Sequence, residues 1–147
     1  MSLSPAEFWS RAVDRRPGAS EAALAETERA LGVPLPGALR EWLLFSDGAA
    51  GFVGPPPNDR FCQLLSTTEL IETHADAAFM EQRPELVQFA GNGGGEGFFF
   101  DPARPGSPVL MIAYISDWVE DAIECGPTVA SFFQRLHEGR GTHDERD

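Results

Sequence analysis

Residues 24–48 read LAETERALGVPLPGALREWLLFSDG, and this stretch predicts two helices joined by a short extended link. Apolar residues at helical spacing run up to Gly32, which stands where a helix needs a left-handed residue in order to end. Pro34 and Pro36 disfavour the α conformation in the residues that precede them, so the link must be extended. The second helix carries Trp42 on its apolar side and stops at the following aspartate–glycine pair.

A further helix is predicted ahead of this pair. Ser4 can cap its N-terminus, and Glu7, three residues later, completes a capping box. An Arg-Pro-Gly sequence would end this helix. We therefore assign residues 1–19 to an extra N-terminal helix, residues 20–138 to the core of a single domain, and residues 139–147 to a flexible tail.

The remainder of the chain predicts mostly strands. Glycine and proline make residues 49–59 a surface loop, and the later apolar runs between turn residues are typical of strands. Short turns between strands favour antiparallel pairing. The fold class is therefore α+β, with an antiparallel sheet of about four to six strands and helices packed mainly on one face. The predicted order after the loop is strand 61–65, helix 66–82, strands 86–90, 98–101 and 109–114, an extended segment 116–124, and a final helix up to residue 138.

The charge of the chain is strongly negative and unevenly distributed. Its 147 residues have a formal net charge of −12, and residues 61–134 hold eleven carboxylates against two arginines. Such a field repels phosphate backbones, so it disfavours direct binding of nucleic acid. It would speed the encounter with a basic protein partner, although the same charge could serve solubility alone.

The sequence also predicts a soluble protein of the cytoplasm. No apolar run approaches the ~18 residues of a membrane helix, and the N-terminus lacks the basic and apolar regions of a secretory signal. Cys62 and Cys125 are expected to be buried and reduced, and the three histidines are scattered. We therefore expect no disulfide, no metal site and no cofactor.

Catalysis is not indicated by any motif. The consecutive N–H groups of residues 91–97, GNGGGEG, could hold a phosphate, but the segment has no lysine and leads into a phenylalanine-rich strand instead of a helix. It predicts a tight turn between two strands, with a small-ligand pocket as a minor alternative. No GxSxG motif occurs, and neither cysteine has a supporting signature. We interpret the chain as a non-enzymatic domain.

One acidic segment is a candidate contact surface. Four carboxylates lie in the acidic run 117–124, which also contains Trp118. Neither Lys nor Arg occurs between Arg104 and Arg135. The run is either a solvated edge whose tryptophan enters the core, or a patch with an aromatic anchor for a basic partner. Acids at i, i+3 and i+7 spacing form a second acidic face on the helix 66–82. The candidate partner-binding residues are Asp117, Trp118, Glu120, Asp121 and Glu124, extended by Glu69, Glu72 and Asp76.

The stretch quoted first resembles the N-terminal signature of the SUKH superfamily. That signature is a helix with an acid near its middle, the motif Leu-Gly-x-x-Leu-Pro, and a helix that ends in an Asn-Gly-like turn. The strand, glycine turn and strand at residues 87–101 are similar as well, and the resemblance covers about residues 20–138. The residues that carry it are Leu31, Gly32, Leu35, Pro36, Trp42, Gly48, Gly93, Gly94 and Gly95.

This resemblance implies an α+β fold without enzymatic activity, and no catalytic residue is carried over. Bacterial members of the superfamily are mostly inferred to be immunity proteins that bind and neutralise toxins, often nucleases. The founding yeast member regulates cell-wall glucan synthesis through protein contacts. The leading hypothesis is thus an immunity protein with a basic toxin as partner. The alternative is a regulatory scaffold module without a toxin partner.

Overall fold

The computed structural model describes residues 3–76, 85–114 and 122–140. These residues form five helices and a seven-stranded sheet. The helices are α1 (Pro5–Phe8), α2 (Glu21–Leu31), α3 (Gly37–Phe45), α4 (Thr67–Ala75) and α5 (Val129–His137). The strands are β1 (Ala12–Arg15), β2 (Ala49–Val53), β3 (Arg60–Leu64), β4 (Val87–Gly91), β5 (Glu96–Phe100), β6 (Val109–Ala113) and β7 (Ile123–Gly126).

The strands lie in the sheet in the order in which they occur in the chain, and every neighbouring pair is antiparallel. This arrangement confirms the α+β class and the antiparallel sheet. The predicted number of four to six strands is wrong, because the described residues contain seven. The two strands that the sequence analysis missed are β1 and β2.

The N-terminal helix is much shorter than predicted. The capping box of Ser4 and Glu7 is present, but α1 has only four residues, and β1 follows it where the prediction continued the helix. Likewise β2 lies within the segment predicted as a loop. The two strands pair closely because Gly51 lacks a Cβ, which would lie 2.7 Å from the Cα of Ala12. Their pairing is a long-range contact that local sequence does not indicate.

The expectation of packing mainly on one face is only partly met, because strands β4, β5 and β6 bury side chains on both faces of the sheet. All five helices contribute to one apolar cluster, termed the main core, on one face of the sheet. A smaller second cluster consists of Leu86, Phe99, Leu110 and Ile112. Phe98 and Phe100 belong to the main core and Phe99 to the second cluster, so the two clusters lie on opposite faces.

The helix ends follow the local sequence signals. Gly32 takes a φ of +78° at the C-terminus of α2, and Ser66 caps α4. The helix predicted from residue 66 to 82 ends earlier, at Asp76, whose backbone is extended, and residues 77–82 of the prediction lie outside the described residues. Of the extended segment predicted at 116–124, the described part enters β7. Every described helix is too short or too polar to span a lipid bilayer.

We expect both cysteines to be unreactive in the folded protein. Cys62 on β3 and Cys125 on β7 are buried free thiols, and this burial raises the pKa of each to about 12. Only about one thiol in ten thousand is then ionised at pH 8, and the thiolate is the reactive form. A disulfide reagent such as DTNB should therefore react rapidly with the two thiols in denaturant and hardly at all without it. Rapid labelling of the native chain would contradict their burial.

Candidate protein-binding surfaces

Of the acidic residues proposed from the sequence, Glu69, Glu72, Asp76 and Glu124 lie within the described residues. Asp117, Trp118, Glu120 and Asp121 lie outside the described residues. Glu124 is exposed on β7, and its carboxylate lies 3.2 Å from the Arg104 guanidinium. One negative charge of the predicted patch is thus already paired within the chain.

Glu124 points to the face of the sheet opposite to the helices. Its neighbours Ile123 and Cys125 pack in the main core, whereas Glu124 pairs across the ladder with Leu110 of the second cluster. The acidic helix α4 packs through Leu70 in the main core. The acids of α4 and Glu124 therefore lie on opposite sides of the sheet.

The three acids of α4 have different roles. Glu69 belongs to a capping box, in which its carboxylate accepts a hydrogen bond of 2.9 Å from the N–H of Ser66. Glu72 and Asp76 are exposed, and Asp76 is the residue at which the helix ends. Glu69 thus stabilises the start of the helix, and the exposed acidic surface of α4 is reduced to two residues.

The glycine-rich turn is held by hydrogen bonds between its own residues. The side-chain oxygen of Asn92 accepts hydrogen bonds from the N–H groups of Gly94, Gly95 and Glu96, at 3.0 to 3.3 Å. These are the donors that a bound anion would need, and Asn92 also donates to the Glu96 carboxylate at 2.6 Å. The tight turn between two strands is confirmed, and these three N–H groups are occupied by the protein itself.

The signature residues of the helix pair serve the packing of the fold. Leu31, Leu35 and Trp42 are buried, and the Pro36 residue precedes α3 directly. Glu28 of α2 lies within the signature, and its carboxylate accepts a 2.7 Å hydrogen bond from the N–H of Leu35. This bond fixes the extended link against the helix before it.

The turn after α3 is tied to the start of α4. Gly48 takes a φ of +93°, and the Asp47 carboxylate accepts hydrogen bonds from the N–H and hydroxyl of Thr67 at 2.7 and 3.0 Å. A carboxylate at this position also interacts favourably with the helix N-terminus. The signature therefore holds three helices together, and its residues are structural.

The sequence did not lead us to predict an aromatic surface that lies where β2 ends and β3 begins. Phe52 is 50% exposed, although most large apolar side chains of the chain are buried. Its ring meets that of Phe61 edge-on, with 5.5 Å between the centroids. Phe52 lines a cleft of about 300 Å³ that reaches Pro55 and His137. Phe52 also lines a second cleft of about 320 Å³, termed the aromatic cleft, together with Phe61.

Charged residues surround this surface. Asp59 and Glu96 line the aromatic cleft together with Arg60. Arg11 approaches from β1, where its guanidinium lies 3.4 Å from the Asp59 carboxylate and also donates to the carbonyl of Gly54. Exposed aromatic rings beside clefts, with charges at the rim, are typical of protein interfaces.

A signal for this surface does exist in the sequence. Ala49, Gly51 and Val53 alternate with residues of the opposite face, as they do in a half-buried strand. Glycines and prolines on either side of the segment outweighed that alternation. Within residues 3–76, 85–114 and 122–140, no three His, Cys, Asp or Glu side chains come together as a metal site.

The sequence model of the SMI1 / KNR4 family (SUKH-1) matches residues 18–135, which is most of the chain. No curated protein gives a significant match. The matched span includes the signature helices, all the strands from β2 to β7, and most of α5.

Proposed function

Because the chain belongs to the SMI1 / KNR4 family (SUKH-1), we propose that it is an immunity protein that binds and neutralises a toxin domain. The family covers immunity proteins and Smi1/Knr4-like domains, which are generally non-catalytic and act on protein partners. The family match over residues 18–135 is the observation that carries this proposal. The protein would act in the cytoplasm, where it protects the cell that makes the toxin.

The charge of the chain supports a basic partner. A toxin that cleaves nucleic acid needs a positive surface to hold its substrate, and a protein with a net charge of −12 is attracted to that surface. Since the acids of α4 and Glu124 lie on opposite sides of the sheet, one partner would contact only one of them. We assign the contact to the run 117–124, where the acids are most dense.

The proposal can be tested by capture followed by neutralisation. The chain is immobilised and exposed to lysate of its source organism, beside an unrelated acidic domain of equal net charge. The proposal requires that a toxin-like protein is retained only by this chain, and that adding the chain abolishes the toxic activity in proportion to the amount bound. Capture of a housekeeping complex without any toxic activity would favour the scaffold alternative.

Removing the charges of the run 117–124 should slow binding. We expect the variant in which Asp117, Glu120, Asp121 and Glu124 become Asn or Gln to associate with the captured toxin about tenfold more slowly at low salt, because electrostatic steering acts on the association rate. The rate is measured by stopped-flow fluorescence at increasing salt, where the difference should shrink.

A control for this variant must remove equal charge elsewhere. The exposed acids Glu26, Glu41, Glu85 and Glu138, changed to Gln, provide the same change in net charge. If both variants slow association equally, the effect comes from the net charge and not from the run 117–124. An unchanged rate in the first variant would remove this surface from the proposal.

A further inference from the structure

We propose that the aromatic cleft receives an arginine or lysine side chain of the partner protein. This inference rests on the proposed protein-binding function and adds to it a specific contact that is separate from the acidic run 117–124. It follows from three features of the aromatic cleft: its aromatic walls, its charge and its rigidity.

The walls provide faces over which a cation can lie. Phe52 and Phe61, in edge-on contact with each other, form one aromatic wall of the aromatic cleft, and the almost completely buried Phe98 and Leu136 also line it. A cation within about 6 Å of an aromatic ring is attracted by the ring quadrupole. The stem of an arginine or lysine can meanwhile replace water on the exposed ring of Phe52.

The charge of the aromatic cleft favours a cation over an apolar or acidic side chain. Asp59 and Glu96 supply two carboxylates and Arg60 one guanidinium, so the lining itself carries one net negative charge, which Arg11 at the rim partly offsets through Asp59. A carboxylate can accept several hydrogen bonds, and the bond from Arg11 to Asp59 is long, at 3.4 Å. Charge complementarity therefore points to a basic side chain, in agreement with the negative charge of the whole chain.

The aromatic cleft is held in shape by the strands that form it. Phe52 and Phe61 face each other in the β2–β3 register. The ring of Phe61 lies so close to Gly93 that a Cβ there would be 2.6 Å from it, and Gly93 has a φ of +75°. Glu96 is fixed through its bond to Asn92. The side chains are thus positioned before binding, which reduces the entropy lost when a partner docks.

The test uses a peptide and does not need the partner. The full chain, labelled with ¹⁵N and with ¹³C in its phenylalanines, is titrated with acetyl-Gly-Arg-Gly-amide and followed by NMR. The control peptide carries citrulline, which has nearly the shape of arginine but no charge. We expect saturable shifts of the Phe52 and Phe61 rings and of the Gly93 amide with the arginine peptide, and binding at least about threefold weaker with citrulline.

Two single changes and one matched control locate the binding. Phe52→Leu keeps an apolar side chain but removes the ring, and Glu96→Gln removes one charge while an amide oxygen can keep the bond to Asn92. We expect each change to weaken the binding of the arginine peptide about two- to fivefold. Glu26→Gln removes an equal charge from an exposed position on α2 and should leave binding unchanged. The melting temperature of each variant shows that the fold is retained, and if one variant does not fold, the other decides.

The outcomes are distinct. The proposal is overturned if the arginine and citrulline peptides bind equally, if neither binds, or if Glu26→Gln weakens binding as much as Glu96→Gln does. It is also overturned if the Phe52 signals shift with protein concentration alone, since a second copy of the chain would then occupy the surface. None of these results bears on toxin capture, so the failure of this inference can be told apart from failure of the proposed function.

Discussion

Phe133→Ala should lower the free energy of unfolding by about 3–5 kcal/mol, the range found when a fully buried aromatic side chain is truncated to alanine. Phe133 is completely buried on α5, where it stacks on Trp42 at 4.4 Å between centroids and touches Phe8 at 5.1 Å. It also meets Phe89 of the sheet at 6.1 Å. One side chain therefore joins α1, α3 and α5 to the sheet, and its removal leaves a cavity that four elements must share.

Chemical denaturation followed by tryptophan fluorescence measures this loss, and the exposed Phe52 provides the same substitution as a control. Because Phe52 is half exposed, we expect Phe52→Ala to cost less than about 1 kcal/mol. Equal losses at the two positions would mean that Phe133 is not the centre of the core.

Removal of residues 1–17 should abolish stable folding, although the family match begins only at residue 18. Phe8 and Trp9 are 2% and 1% exposed, and both pack in the main core. Losing two buried aromatic side chains removes more than about 5 kcal/mol, which approaches the total stability of an ordinary domain. The deletion also removes β1 and leaves the edge of β2 unpaired.

The shortened chain is compared with the full chain by far-ultraviolet circular dichroism and by the dispersion of its NMR spectrum. We expect poor dispersion for the chain 18–147, and partial recovery when a synthetic peptide of residues 1–17 is added. A well-dispersed spectrum without the peptide would instead show that residues 1–17 are an appendage to an independently folded core, as the sequence analysis assumed.

The part of the fold that sequence predicted best is the part with local causes. The capping residue Ser4 and the left-handed Gly32 were predicted from their immediate neighbours, and the structure has them in these roles. The turn at residues 91–97 was predicted from glycine content and the strand that follows it. Such features depend on hydrogen bonds that span a few residues, and the sequence shows both partners of each bond.

The predictions that failed concern contacts between distant residues. The strand β1 forms because Ala12 to Arg15 lie beside β2, which is more than thirty residues away. Nothing in the local sequence outweighs the capping box that favours a helix there. The sheet therefore has seven strands. The segments that were assigned to a helix and to a surface loop contribute its first two strands, β1 and β2.

The candidate binding surfaces also combine local features that the sequence indicates with long-range contacts that only the structure shows. Sequence identified the acids of the run 117–124 and of α4 by composition and spacing, but only the sheet shows that Glu124 and α4 lie on opposite sides of it. The aromatic cleft was missed because Phe52 lies in the segment that its glycines and prolines predicted to be a surface loop.

The sequence by itself determined the helix pair of residues 24–48, the acidic charge, the closed glycine turn and the resemblance that led to the family. Only the tertiary structure decided which aromatic residues are buried and which stay exposed. The reason is that burial depends on strand register and on what packs against each face, and these are set by pairings between residues far apart in the chain. Phe133 and Phe52 are the same residue type, yet the first holds the core together and the second remains exposed to a partner.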